Sequence, residues 1–122
     1  MPNKLYCKKA VQGVGMNTKL TATDASFDKA YEAHNQAEMV EFFASWCPHC
    51  KRMEPTVNRL VKEYDGKANV LAVDVDEVPR ASRKFGISGV PTFLFVKNGE
   101  IMESVSGERS ESELRQKMDN LL

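Results

Sequence analysis

The sequence predicts an α/β domain, a central mixed β-sheet flanked by helices on both faces. Three observations lead there. The run Met39 to Ala44 is apolar on both faces except at Glu41, the pattern of a buried strand, and an amphipathic helical period follows it directly. A second short apolar run, Val70-Leu71-Ala72-Val73, comes after that helix and completes a strand–helix–strand unit. Downstream, two strand-like segments flank Asn98-Gly99, a strong hairpin signal, and a capped helix closes the chain.

In chain order, residues 1 to 18 contain Pro2, Asn3, Gly13, Gly15 and Asn17 and show no clear period. They are expected to form an N-terminal extension, with one edge strand near Leu5, ahead of a single domain over residues 19 to 122. Leu20-Thr21 opens the first strand. Thr23-Asp24 offers an N-cap, and Phe27, Ala30 and Tyr31 mark the buried face of a first helix ending near Asn35. The strand at 39 to 44 is expected in the middle of the sheet, with the chemistry at its carboxyl end.

Met53, Val57, Leu60, Val61 and Tyr64 then recur on one helical face. Pro55 removes one backbone donor and should kink this helix without ending it, since the period continues, and Gly66 is the expected stop. Pro79 starts a short helix that ends at Gly86. Thr92 to Val96 and Ile101 to Val105 alternate as two strands. Ser110-Glu111-Ser112-Glu113 is a capping-box pattern, and Leu114, Met118, Leu121 and Leu122 share one face of the last helix.

Composition narrows the function. A chain of 122 residues can bury one core without staples. Seventeen acids balance seventeen Lys and Arg, so no overall field argues for nucleic acid or an anionic membrane as partner. The basic start lacks the apolar stretch of a secretory signal, and no run of about eighteen apolar residues predicts a transmembrane helix. The expected location is therefore the cytosol, or outside it if a signal sequence has been removed.

The motif that carries chemistry is Trp46-Cys47-Pro48-His49-Cys50. Pro48 occupies the first helical position, where its missing N–H has no partner to lose. Cys47 thus lies at the strand–helix junction, with the positive end of the helix dipole near its sulfur, a setting that favours a thiolate. Cys50, inside the first turn, should be the more buried thiol. Attack by Cys47 on a disulfide would give a mixed disulfide, and Cys50 would resolve it, leaving Cys47–Cys50 oxidised. The competing reading is half of a zinc site, but Cys7, His34 and His49 are the only other Cys or His residues, a poor ligand set. Cys7 is either a bystander thiol, an intermolecular disulfide partner or a third redox thiol.

A CxxC after such a strand is a redox signature, and residues from about 20 to 122 resemble the thioredoxin family throughout. Phe43-Ala44-Ser45-Trp46-Cys47, Cys50-Lys51, Pro55, Phe85 to Thr92 and Lys97-Asn98-Gly99-Glu100 stand in family order. The resemblance implies a thioredoxin fold and a protein disulfide oxidoreductase with no metal or organic cofactor. It implies protein substrates bearing disulfides or dithiols, a recycling reductase or oxidase, and a monomer. It gives Pro91 a cis peptide bond packed against the cysteines. It makes Trp46, Pro48, Val90, Pro91 and Gly107 a shallow substrate groove, in which an extended peptide could pair with Val90 as an added strand. Trp46 as a core aromatic and Gly107 as a plain turn residue are the alternatives.

Glu41 matches the family's usual buried aspartate, which relays protons to the resolving cysteine. Ala72 stands where a lysine is often found near that acid, so Glu41 should hold its proton more tightly. The alternative is that Glu41 reaches water. His49 departs from the Gly-Pro usual between thioredoxin cysteines, and Pro-His resembles strongly oxidising bacterial disulfide-introducing enzymes. An imidazole beside Cys47 would stabilise a thiolate that exists only in the reduced protein, making the couple more oxidising. The alternative is a solvated loop residue. Those oxidases carry a large helical insertion, whereas the segment between Cys50 and Pro91 has thioredoxin length. Net direction therefore stays open between a reductase and an extracytoplasmic oxidase or isomerase, and a thioredoxin-fold binding module without turnover is the rival from another class.

Overall fold

A computed structural model describes residues 19–20 and 37–122. The N-terminal extension, the edge strand near Leu5, Cys7, His34 and the first helix lie outside the described residues. Five strands form one sheet: β1 (Lys19–Leu20), β2 (Ala37–Phe43), β3 (Asn69–Asp74), β4 (Thr92–Lys97) and β5 (Glu100–Ser106). Their spatial order is β1-β3-β2-β4-β5. Strands β1, β3 and β2 run parallel, and β4 and β5 run antiparallel to their neighbours, so the sheet is mixed as expected.

Three helices complete the described fold: α1 (Pro48–Glu63), α2 (Pro79–Lys84) and α3 (Glu111–Leu121). The alternation of each strand sends its side chains to opposite faces, and both faces are covered. On one, Val40, Phe42, Leu71, Val73, Leu94 and Val96 pack with Val78 and Ala81 at α2. On the other, Met39, Val70, Phe93 and Phe95 pack beneath Met53, Val57 and Leu60 of α1 and Leu114 and Met118 of α3. Every residue of β2 is buried, which explains its near-continuous apolar run.

Several local expectations hold and several shift. α1 runs through Pro55 without ending. Its last residue is Glu63 and Tyr64, itself buried, caps it; Gly66 follows two residues on with a left-handed φ of 86°. The Asn98-Gly99 turn has φ of 54° and 80° at its two residues, both left-handed, as a two-residue hairpin of matching twist requires. Ser110 caps α3, its Oγ accepting the Glu113 N–H at 3.2 Å. β4 does not alternate as its sequence suggested. It is buried on both faces because it lies between β2 and β5, under helices on each side. β5 is the edge, almost wholly exposed, with Ile101 and Met102 open to solvent.

The packing of α1 on the sheet fixes the active end of the molecule. Leu60, fully buried in that interface, is its test. Leu60→Ala should cost about 2 to 5 kcal/mol through lost burial and a residual cavity. Urea unfolding should then show a lower midpoint at unchanged slope; an unaltered midpoint would mean that the core between α1 and the sheet is not what holds the helix.

Candidate active site

β2 ends at Phe43, and the chain turns over residues 44–47 to enter α1 at Pro48. The turn is closed by the Cys47 N–H bonding to the Ala44 carbonyl at 3.1 Å. Cys47 is extended (φ −94°, ψ 113°) and is the N-cap residue of α1, with Pro48 first in the helix. Its sulfur takes the place that a serine or aspartate oxygen often fills, accepting the Cys50 N–H at 3.2 Å. The first turn thus aims a backbone donor and the helix dipole at one sulfur.

Both cysteines are free thiols and both are buried, Cys47 at 3% and Cys50 at 4% relative exposure. The expectation that Cys50 would be the more buried is corrected: Cys47 is buried as well, in a cluster against which Val90 packs. Burial, then the hydrogen bond to Cys47, pushes the Cys50 thiol up to about 12, and the charges of Cys47 and Glu41 add to the effect.

Across from the cysteines, the Val90–Pro91 peptide bond is cis, as the motif implied. The Cys47 thiol lies 3.8 Å from the Val90 carbonyl oxygen. Gly107, at φ 90°, directs its N–H to the Pro91 carbonyl at 2.8 Å, tying the end of β5 to this loop. A groove of about 340 Å³ opens beside Cys47. Trp46, Pro48, His49 and Val90 line it, joined by Val75, Ile87, Ser88 and Gly89, which the sequence did not single out. Pro91 and Gly107, expected as walls, stand behind it; Pro91 is buried and Gly107 fixes its carbonyl. Trp46 is 65% exposed rather than a core aromatic, and its indole N–H donates to Asp76 at 3.0 Å.

His49 is also exposed. Its Nδ1 lies 2.6 Å from Glu108 Oε2 and 2.7 Å from Arg52 Nη2, and so is directed to this pair rather than to the Cys47 sulfur. Arg52 donates twice to the same Glu108 oxygen, at 3.0 and 2.7 Å. Arg52 and then His49 hold the Glu108 carboxyl below the usual carboxylate range. The guanidinium also senses charge on Cys47. Helical spacing could have revealed Arg52, three residues after His49. Nothing local pointed to Glu108, which is 59 positions away.

Glu41 sits in the middle of the sheet, opposite Ala72 on β3 and Phe93 on β4. At 4% exposure it does not reach water as an edge residue would. Burial, and secondarily the charge of Glu54, pushes its carboxyl up to about 8. A pocket of about 30 Å³, room for on the order of one or two water molecules, lies between Glu41 and the surface. Cys50, Ser45, Lys51 and Glu54 share its wall. Among the described residues no three His, Cys, Asp or Glu side chains form a group that could hold a metal ion.

A family model described as Thioredoxin matches residues 18–120. A thioredoxin of Staphylococcus haemolyticus is 36% identical over 100 residues, which cover 82% of this chain and 94% of that protein. The chloroplastic M-type thioredoxin of Pisum sativum is 33% identical over 118 residues, 97% of this chain and 66% of that protein. A solved structure from work on the thiol resolving mechanism in yeast mitochondrial 1-Cys peroxiredoxin via glutathione/thioredoxin systems is also similar. It has a TM-score of 0.72 at 26% identity and covers 84% of this chain and 93% of its own. Fold, cysteine pair and relatives together define a thiol–disulfide oxidoreductase, an enzyme that exchanges dithiols and disulfides. The chain belongs to the thioredoxin family.

The buried carboxyl has a measurable cost. In the folded protein Glu41 keeps its proton up to about pH 8, whereas an ordinary carboxyl releases it near 4.5. Between those values the folded state binds more protons, so this group makes stability fall as pH rises. Glu41→Gln removes the effect. Its stability relative to wild type should grow between pH 4.5 and 8 by on the order of 3 to 5 kcal/mol and level off above. Denaturant unfolding across that range would measure it, and a constant difference would show that Glu41 ionises normally.

Proposed function

We propose that the chain acts as a thioredoxin-type protein-disulfide reductase with an active-site loop tuned to a more oxidising potential. The observation that carries the reading is the asymmetry of the two sulfurs. One caps a helix and accepts a backbone N–H; the other is a thiol held protonated beside a buried carboxyl.

Cys47 is the attacking thiolate. An extended substrate lies in the groove beside Trp46 and Pro48, its backbone pairing with Val90 as an added strand. Attack on the substrate disulfide joins Cys47 to one substrate sulfur and releases the other as a thiolate. Cys50 then attacks Cys47, which needs a base for its tightly held proton. Glu41 is the base in this reading, since it shares a pocket with Cys50 and has a proton affinity near the working pH. The electrons go to protein disulfides and come back from a recycling reductase, with the Cys47–Cys50 disulfide as the redox group and a monomer as the working unit.

The oxidising tuning follows from charge near Cys47. His49 and Arg52 lie on the first turns of α1, and any stabilisation they give the thiolate is lost when Cys47 enters the disulfide. Protein-disulfide oxidation outside the cytosol is the second reading, favoured by the same Pro-His loop.

Two measurements test this. In an insulin-reduction assay with a chemical reductant, wild type should be active, Cys47→Ser inactive, and Cys50→Ser should accumulate mixed disulfides with substrate. Turnover by Cys47→Ser would remove the assignment of the nucleophile; an inactive wild type would favour a binding module. For the loop, Pro48→Gly with His49→Pro should lower the reduction potential against glutathione by about 30 mV, a tenfold change in the exchange equilibrium. The size is kept small because His49 is 60% exposed and already paired with Glu108. A potential that stays put or rises would leave an ordinary thioredoxin-type reductase.

A further inference from the structure

Cys50 and Glu54 are four residues apart on α1, and so lie along the same side of the helix. Buried in the central strand is Glu41. The pocket of about 30 Å³ connects all three, with Glu54 and Lys51 at its outer wall, exposed, and Glu41 and Cys50 at its inner wall, buried. Two carboxylates therefore share one small space, one wet and one dry. We propose that Glu54 is a positioning residue for proton transfer, its charge at the pocket mouth setting the pH at which Glu41 takes the proton from Cys50. The proposal rests on the reading of Glu41 as the base and adds to it a residue outside the cysteine motif.

In the resolving step the Cys50 thiol gives its proton to the Glu41 carboxylate, and the resulting thiolate forms a bond to Cys47 Sγ. The bond between Cys47 and the substrate sulfur breaks, its electron pair leaving on that sulfur, which takes a proton from solvent. The substrate disulfide has gained two electrons and the protein dithiol is oxidised. Glu41 then releases its proton to water through the pocket. When a reductase opens the Cys47–Cys50 disulfide, the same carboxyl returns a proton to Cys50.

A carrier that works in both directions needs a proton affinity close to the ambient pH. Burial alone raises that of Glu41, and a second negative charge raises it further, because two nearby carboxylates resist being ionised together. Burial first, and then the charge of Glu54, favour the protonated form of Glu41. Among the described residues the other groups facing Glu41 are few. From α1 they are Cys50 and Lys51, whose ammonium opposes Glu54 at the rim. From β3 and β4 they are Ala72 and Phe93, which carry no charge. Glu38, three residues away on the same strand, falls on the opposite face of the sheet.

The test uses the reduced full-length chain with Cys7→Ser, so that only the pair reacts, and dithionitrobenzoate as the substrate disulfide. Attack by Cys47 releases the first thionitrobenzoate and resolution by Cys50 the second, and the second phase is followed against pH by stopped flow. The midpoint of its rise should fall by about half a pH unit in Glu54→Gln and by about one unit in Glu54→Lys, and stay near wild type in Glu54→Asp. Below the midpoint, half a unit is about a threefold faster resolution. Carbon NMR of the Glu41 carboxyl should show the same order of midpoints. A midpoint indifferent to charge at position 54 overturns the proposal. So does a shift that persists in a Glu41→Gln background, since Glu54 would then act on Cys50 directly. If Glu41→Gln leaves the resolution phase unaltered, the base assignment itself is lost, an outcome separable from the other two.

Discussion

The rest of the site depends on β2 being covered on both faces. A strand in that position cannot bring its own charged groups to water, so its carboxyl end becomes the natural place for a polar event at the surface. The chain leaves β2 there and must turn at once, because α1 has to lie back across the strand to cover Met39 and Phe93. The turn leaves a cysteine where the helix has unsatisfied N–H groups. The Cys47 sulfur meets that need and gains a donor from it. Packing of the core and activation of the nucleophile are thus two consequences of one geometry.

The two faces of the cysteine pair see different media. Toward the groove, Cys47 is near Trp46, the Val90 carbonyl and a set of exposed charges, Arg52, Glu108 and Asp76. Toward the sheet, Cys50 faces Glu41 in a space that admits little more than a water molecule. Charges in the first setting are screened and exchange partners easily; in the second, each proton has a defined place. The division suits a reaction whose first step must meet varied substrates and whose second step is the same every time.

Much of this was legible in the sequence, for reasons that differ by residue. Cys47, Cys50 and Pro48 announced a helix start because their chemistry and spacing are local. Glu41 stood out because a charge in an apolar run is a contradiction that only burial with a function resolves. The hairpin at Asn98-Gly99 and the cap at Ser110 are likewise written within a few residues. What escaped reading was either long-range or a matter of layer position. The bond from Trp46 to Asp76 and the link from His49 to Glu108 join segments that only the sheet brings together. Glu54 was within reach, since its spacing from Cys50 is helical, but its meaning depends on where Glu41 lies. The relative exposure of the two cysteines failed because helix position does not reveal what the Val90 loop covers. β4 failed to alternate because helices cover both of its faces, a fact about layers.

The edge strand β5 bears on how the molecule behaves among its own copies. With acids and bases in equal number, the protein has no overall charge to keep copies apart, and solubility must come from local placement. β5 offers a row of backbone groups and two exposed apolar side chains, Ile101 and Met102, the kind of border on which sheets can continue from one molecule into the next. Glu100 and Glu103 lie along that border, and Lys117 of α3 reaches Glu103 from the side. An approaching copy would have to bring carboxylates against carboxylates and strip water from an ion pair before its strand could dock. Among the described residues the opposite border, β1, is two residues long, too short to template much. Among the described residues the sheet is finished at both ends by different means, brevity on one side and charge on the other.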